Sequence, residues 1–556
     1  MYFRVTRAGK YAYLQIAQSY RDSGQVKQRI MATLGRLDVL QATGQLDRLI
    51  QSGARFTQRV AVIDAHAAGR TEAVRVRRIG ADLVFRRLWE ETGIQRVLTG
   101  LLEERRYEFD VERAIYLTVL HRVFVSGSDR SAERWRERYR IEGVEGLELH
   151  HLYRAMAFLG EPLTRHALRE DRGAMVLGTP RCIKDVVEEE LFEPRRDLFA
   201  EVDLVFFDTT SIYFEGEGGE TLGAYGHSKD HRPDLKQMIV GIALDAEGRP
   251  LCCELWPGNT TDVKTLLPVV RRIQGRFRVR EICVVADRGM ISAETVEALE
   301  ASDPPVQYIL GVRMRRQLEV SETVLSYRGP WQEIEPERKR SKDPAPLKVK
   351  EITVAGRRYI VCLNEEERRK DAHDRTAIVA HLREQLKRGD KSLVGNKGYR
   401  RFLKREGEGC FAIDEERIGN DARYDGKWVL RTNTDHDAET VARAYKNLWM
   451  VEDSIRTAKS ILETRPIFHQ RDETIRGHIF CSFLALLLKW ELEERLKQQQ
   501  AEPWEWAEII HGLDDLQEVE AVFQGHHYLL RSQLTGHAHK AIRAAGVAVP
   551  PTIRAM

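Results

Sequence analysis

Apolar and polar residues alternate from Tyr11 to Tyr20 and again from Val26 to Leu34, on either side of Arg21-Asp22-Ser23-Gly24. That spacing predicts a β-hairpin. From about Ala81 to Glu190 the apolar period lengthens to that of a helix, as in Val111 to Val125 and Leu147 to Leu159, so an all-helical segment follows. A helix pair of this kind can set its second helix in a major groove, although bundles without that role are at least as common. Beyond residue 200 the period changes again. Val202–Asp208, Leu235–Asp245 and Pro250–Trp256 read as strands, the last two joined at Ala246-Glu247-Gly248. Thr261–Gln274 reads as a helix, Glu281–Asp287 as a strand, Ser292–Glu300 as a helix opened by a serine cap, and Val306–Val312 as a strand. Three strands, then helix, strand, helix, strand is an α/β order. Between Arg313 and Leu430 short strand candidates (348–354, 358–363, 427–430) flank a charged helix near 365–387, the pattern of a strand-rich insertion. Ala438–Leu462 and Glu473–Lys497 read as long helices, and the chain beyond Gly536 as a loose tail. The organisation expected is a basic hairpin module (1–80), a helical domain (81–200), an α/β domain in two parts (201–312 and 431–500) around an insertion (313–430), and a C-terminal helical region and tail (501–556).

With 556 residues, 42% of them hydrophobic and 31% charged, the chain has the composition of a folded protein of several domains, which excludes disorder as its main state. No run of 18 apolar residues occurs, and the opening MYFRVTRAGKYAYLQ lacks the charged-then-apolar pattern of a secretory signal. A cytoplasmic protein with no membrane partner is expected. Seven cysteines, at 182, 252, 253, 283, 362, 410 and 481, form no CxxC pair, so neither a disulfide framework nor a cysteine zinc site is indicated. The net charge of +3 is unevenly spread: residues 1–80 carry 14 Lys+Arg against 5 Asp+Glu, and residues 313–430 carry 28 against 21. Two basic regions on a near-neutral chain suit a polyanion, because each cation set against a phosphate releases condensed counterions.

Two aspartates stand where apolar strands give way to turn residues, Asp208 in VFFDTTS and Asp287 in VVADRGM. In open α/β sheets the carboxyl ends of strands are where ligands bind. A single such aspartate is more often a turn former; two on one sheet favour a site. Asp203, an odd step from Asp208, points to the opposite face of its strand and is the weaker candidate. A third carboxylate, Glu452, shares a helical face with Tyr445, Leu448 and Lys459. The bland alternative for that helix is a solvated face with a Glu452–Arg456 ion pair. No histidine cluster competes: His150-His151 and His526-His527 are adjacent pairs, and His537 and His539 lie in the tail.

Taken together, the strand order, Asp208, Asp287 and a helix bearing Glu452 after a strand-rich insertion resemble the ribonuclease H-like DDE transposases of bacterial insertion sequences. The resemblance is nearest to the group with a Tyr-x2-Arg-x3-Glu-x6-Lys signature, matched by Tyr445, Glu452 and Lys459, with Leu448 standing where the signature has arginine. Tyr225-Gly226-His227-Ser228-Lys229-Asp230-His231-Arg232-Pro233-Asp234 and Pro257-Gly258-Asn259-Thr260-Thr261-Asp262 are similar to further segments of this group. The resemblance implies a ribonuclease H-like catalytic domain and an enzyme that binds the terminal inverted repeats of an insertion sequence, then cleaves and transfers DNA strands. It implies two Mg²⁺ or Mn²⁺ ions, oxygen-seeking cations that stabilise the entering and leaving oxygens of a phosphodiester displacement, with Asp208 shared and Asp287 and Glu452 each completing one site. Tyr445 and Lys459 would contact phosphates, with Lys446 or Arg456 replacing the missing arginine, and Lys229, Arg232 and Lys236 would hold flanking DNA. The implied partners are double-stranded end, flanking and target DNA and a second protomer, since two ends call for a synaptic homodimer. Two other readings remain open: an inactive relative that only binds DNA, and a structure-specific nuclease on the same fold.

Overall fold

The computed structural model describes the chain except residues 23–24, 55–61, 63–64, 70–71, 126, 164–179, 199–202, 278, 280–281, 335–346, 389–398, 406–410, 461, 463, 500–503 and 524. The described residues form two compact units: Met1–Ala81 with Arg138–Arg140 and Pro503–Met556, and Asp82–Glu137 with Ile141–Glu502. No helix among them is long and apolar enough to cross a membrane.

In the first unit the expected hairpin, β2 (Tyr11–Asp22) and β3 (Gln25–Arg36), gains a third antiparallel strand, β1 (Tyr2–Ala8), which pairs Val5 with Leu14. Its turn residues Ser23 and Gly24 lie outside the described residues. A second sheet pairs β4 (Glu72–Arg78) with Gln517–Phe523, which continues through His526–Arg531 to Ile553–Ala555. The chain beyond Gly536 is therefore ordered, contrary to the loose tail expected: His537–Ala544 is a helix, and Ile553 buries its side chain with Tyr528 and Leu530. Glu518, 3% exposed, is matched by Arg140 at 2.9 Å and Arg554 at 2.8 Å, the pairing a buried carboxylate requires.

The second unit begins with helices α1 (Gly80–Glu91), α2 (Ile94–Leu102), α3 (Val111–Phe124), α4 (Asp129–Trp135), α5 (Leu149–Leu159) and α6 (Ile183–Phe192). Asp110 and Ser128 cap α3 and α4 by accepting from Arg113 N–H and Ser131 N–H. A nine-stranded mixed sheet follows, built from β5 (Asp203–Tyr213), β6 (Gln237–Leu244), β7 (Pro250–Pro257), β8 (Ile282–Ala286), β9 (Gln307–Gly311), β10 (Gln332–Ile334), β11 (Leu347–Val354), β12 (Arg357–Asn364) and a strand at Lys427–Thr432. Its order is β10-β11-β12-(427–432)-β9-β8-β5-β6-β7. The strands of the expected insertion thus extend the main sheet, because 427–432 pairs antiparallel with β9 and β12 with 427–432. Within 313–430 a small separate core gathers around Leu382, Phe402 and Leu403.

One face of this sheet presents Val205, Phe207, Val284 and Ala286 to α7 (Leu266–Phe277) and α8 (Ala293–Glu300), the latter capped by Ser292. On the sheet's partner elements sit α9 (Ala438–Lys446), against β8 and β9, and α10 (Trp449–Ser460), against β5 and β6. The single long helix expected over 438–462 is broken at Asn447-Leu448, where the Asn447 N–H is shared between the Arg443 and Ala444 carbonyls and the Leu448 N–H bonds to Tyr445, three residues back. Leu448 is buried at 4%, so the break sinks an apolar residue into the core. A final helix, α11 (Asp472–Gln498), is buried along most of its length and packs on α3 and α5. A Cβ at Gly477 would run into the Met156 carbonyl, so glycine here sets how closely α5 and α11 approach. Lys184, Asp185 and Glu188 of α6 form a buried charge network with Arg272 and Arg276 of α7 and Glu254 of β7, each charge paired.

Candidate functional site

The acidic site is made by strand register. β5 and β8 run parallel with Phe207 opposite Ala286, so the next residues, Asp208 and Asp287, leave the pairing side by side. Both follow a residue of the α7/α8 face, so by alternation both point to the side on which α9 and α10 lie. Asp287 follows the end of β8, whereas β5 runs on to Tyr213. Asp208 is consequently not a strand end but the point where the parallel partner stops and only β6 continues beside it.

Tyr445 of α9 donates its hydroxyl to Asp287 Oδ1 at 3.0 Å. A Cβ at Gly311 would occupy the position of that hydroxyl, so the last residue of β9 must be small for the contact to form. Burial, then the charge of Asp287, pushes the Tyr445 phenol far above its ordinary value, and the charge of Glu452 adds to the effect. Glu452, the fourth residue of α10, is exposed; its backbone N–H bonds to the Leu448 carbonyl, and its carboxylate makes no hydrogen bond or ion pair among the described residues. The ion pair of the bland reading is not made: Arg456 turns to Asp453 instead. Three oxygen donors of this set do not close to within 4.8 Å of one another; among the described residues only Asp129, His469 and His478 do so.

That histidine cluster is a polar tie. His478 lies 2.9 Å from an Arg122 nitrogen, 3.2 Å from His469 and 3.1 Å from the Thr464 carbonyl. A guanidinium already occupies the side on which a cation would sit.

Burial raises the Asp208 carboxyl to about 6; Lys229 and the Thr209 N–H, which donates to Asp208 Oδ1 at 2.7 Å, oppose this, and Asp287 and Asp262 reinforce it. Asp262 is the member of the site that the sequence reading left unassigned. Its Oδ1 accepts from Thr209 Oγ1 at 2.8 Å and its Oδ2 lies 3.1 Å from Lys229 Nζ. A Cβ at Gly289 would stand 3.9 Å from Asp262 Oδ2 and 4.0 Å from Asp287 Oδ2, so the two carboxylates border one space. The signal was present in the segment ending Thr260-Thr261-Asp262, an acidic residue at the start of a helix beside a strand end.

The basic candidates divide. Lys459 is 12% exposed and donates to Asp230 Oδ1 at 2.8 Å; burial lowers its pKa. Lys446 is half-buried, Arg456 exposed. Arg232 forks onto Asp234 at 2.9 Å and lies over the Tyr213 ring, and Lys236 pairs with Glu217. Trp331 is partly exposed with Lys350 Nζ 4.8 Å from its ring centre. A cleft of about 810 Å³ lined by residues including Glu300, Tyr308, Arg357 and Arg431 includes none of the acidic-site residues, and its arginines are paired with glutamates. All six described cysteines are buried and unpaired; Cys410 lies outside the described residues.

Two adjoining carboxylates, Asp208 and Asp287, thus stand where the parallel strands of a mixed α/β sheet part. Residues 202–488 match the model of the transposase DDE domain, and residues 3–67 that of the IS1634 family transposase N-terminal domain. The chain belongs to the DDE-domain transposases of insertion sequences. It is also similar to the piggyBac transposase in the cryo-EM structure of its synaptic complex with hairpin DNA, at 10% identity over 78% of each chain and a TM-score of 0.35. No curated protein matches the chain.

Proposed function

We propose that this transposase binds the terminal inverted repeats of its insertion sequence and cuts and rejoins DNA strands at one acidic site made of Asp208, Asp287 and Glu452. The observation that supports this most strongly is the parallel register that sets Asp208 beside Asp287 on the side of the sheet where Tyr445 and Glu452 lie. The strand order β7-β6-β5-β8-β9, with β5, β8 and β9 parallel and β6 and β7 antiparallel, supports a ribonuclease H-like reading of the sheet.

A pair of divalent cations suits this donor set. Its groups are all carboxylates, the oxygen donors that such ions prefer, and Asp262 adds a further carboxylate bordering the same space as Asp287. Asp208, Asp287 and Glu452 would hold Mg²⁺ or Mn²⁺, which when bound supplies stabilisation of charge developing on the phosphodiester oxygens. The chain's own groups do the rest. Tyr445 fixes the rotamer of Asp287 through its hydroxyl, and the break before α10 leaves Glu452 free on its exposed face. Tyr445, Lys459, Arg456, Arg232 and Lys236 take phosphates by exchanging their present carboxylate partners, the last three from pairs at the surface, and Lys446 and Lys229 complete the set of candidates for DNA along α9, α10 and the β5–β6 segment. The basic three-stranded sheet of the first unit serves as a DNA-binding module, its Arg4, Arg7 and Arg29 standing on exposed strands. Two protomers act on the two ends as a homodimer, in the bacterial cytoplasm.

Asp208→Ala, Asp287→Ala and Glu452→Ala are each expected to lower Mg²⁺-dependent cleavage of a duplex carrying the element's end at least about 100-fold while leaving binding of that duplex within about threefold. Full cleavage by any one removes that residue from the site. Cleavage without strand transfer by the unaltered protein favours a nuclease instead, and binding without cleavage an inactive relative.

A further inference from the structure

The segment joining β5 to β6 passes both halves of the acidic site, and two neighbouring residues of opposite charge in it hold one half each. Lys229 Nζ lies 3.1 Å from Asp262 Oδ2 and donates to the Thr209 carbonyl at 2.7 Å and to Thr209 Oγ1 at 3.1 Å. Its ammonium is thereby anchored at the residue that follows Asp208, and its backbone N–H donates to Ser211 Oγ, further along β5, at 2.8 Å. Asp230 turns the other way. Its Oδ1 accepts from Lys459 Nζ at 2.8 Å and from the Arg465 guanidinium. Lys459 is on α10, seven residues and so two turns after Glu452. The side chain of Asp230 is only 7% exposed, and its Oδ2 is buried without a partner. A carboxylate placed so deeply, with one oxygen unsatisfied, persists only because two cations hold it.

We propose that Lys229 and Asp230 are positioning residues: a clasp of adjacent opposite charges that fixes the Glu452 helix against the Asp208 and Asp287 strands. The need follows from like charge. Glu452 lies near enough for its charge to act on Tyr445, which is bonded to Asp287 beside Asp208 and Asp262, so like charge opposes bringing its helix closer to the strands. Lys229 offsets charge on the strand side, and the Asp230–Lys459 pair tethers the helix side. This inference rests on the metal-site reading above, and it gives Lys459 an internal duty before any contact with DNA.

The test uses the full chain without DNA, following the thermal unfolding midpoint as Mn²⁺ is titrated, for the unaltered protein and Asp208→Ala, Asp230→Asn, Lys459→Gln and Lys459→Arg. Coupling between charged neighbours commonly reaches the size of a tenfold change in an equilibrium. Asp230→Asn and Lys459→Gln should each keep a cooperative metal-free transition and raise half-saturating Mn²⁺ about tenfold, and Lys459→Arg, which keeps the charge, should stay within about threefold of the unaltered protein. If Asp230→Asn does not fold, Lys459→Gln gives the same reading. Unchanged half-saturation in the folded neutral variants, or an arginine variant that behaves like the glutamine one, overturns the clasp while a response abolished by Asp208→Ala upholds the metal site. No Mn²⁺ response in the unaltered protein, or one that survives Asp208→Ala, overturns the metal-site reading and the clasp with it.

Discussion

Replacing Asp208 with asparagine removes one charge from a buried position and changes almost nothing else. The amide oxygen can still accept the Thr209 N–H that now bonds to Asp208 Oδ1 at 2.7 Å. The carboxyl is raised from 3.8 to about 6, by burial first and by Asp287 and Asp262 after it, with Lys229 in opposition. A carboxyl whose folded value lies above its unfolded one holds its proton longer in the native state. It therefore contributes stability below about pH 4 that is lost as pH rises to about 6, and above that its charge is a cost. At about 1.4 kcal/mol for each pH unit, the loss across that window is about 3 kcal/mol. Asp208→Asn should accordingly be more stable than the unaltered protein by up to about 3 kcal/mol at pH 7.5 with a chelator present, and the stability decline between pH 4 and 6 should shrink by the same amount. Urea unfolding followed by tryptophan fluorescence at half-unit pH steps measures both. Mn²⁺ favours the ionised carboxylate, so saturating metal should stabilise the unaltered protein and not the variant. An asparagine variant that is less stable at pH 7.5, or one that keeps the full pH dependence, refutes the assignment of charge strain to Asp208.

Tyr445→Phe removes only the hydroxyl bonded to Asp287; cleavage rate constants under saturating DNA should fall about 10- to 100-fold, the worth of a hydrogen bond to a charged group, while DNA affinity is kept. Rapid-quench cleavage assays check this, and an unchanged rate removes Tyr445 from the chemistry. Gly477→Ala puts a methyl against the Met156 carbonyl; overpacking of about 1 to 3 kcal/mol should lower the unfolding midpoint, and a midpoint equal to that of the unaltered protein shows that α5 and α11 can separate freely.

Much of the secondary structure was legible. The period-2 runs at Tyr11 and Val26, the apolar strands around Asp208 and Asp287 and the capped helix after Ser292 all depend on local spacing and appear close to where spacing puts them. The errors share a cause. The break at Asn447-Leu448 was hidden because Leu448 continues an apolar helical face, and only its burial in the folded chain shows that the residue at the break is held in the core. The strand Ile553–Ala555 is too short to show a period, and its partner is a strand that itself pairs with Gln517–Phe523 and, through that, with β4 from the other end of the chain.

By itself the sequence determined which residue types were available and on which local elements: an acidic residue next to each of two apolar strand runs, Glu452 and Tyr445 on a helical stretch, and basic residues concentrated in the first 80 positions. Only the tertiary structure decided that β5 and β8 are parallel neighbours in the register that sets Asp208 beside Asp287, that Asp262 joins them, and that Lys459 meets Asp230. Periodicity reports what a side chain faces within its own element. Which carboxylates meet depends on strand pairing between residues tens to hundreds of positions apart, and that is settled by the packing of the whole sheet.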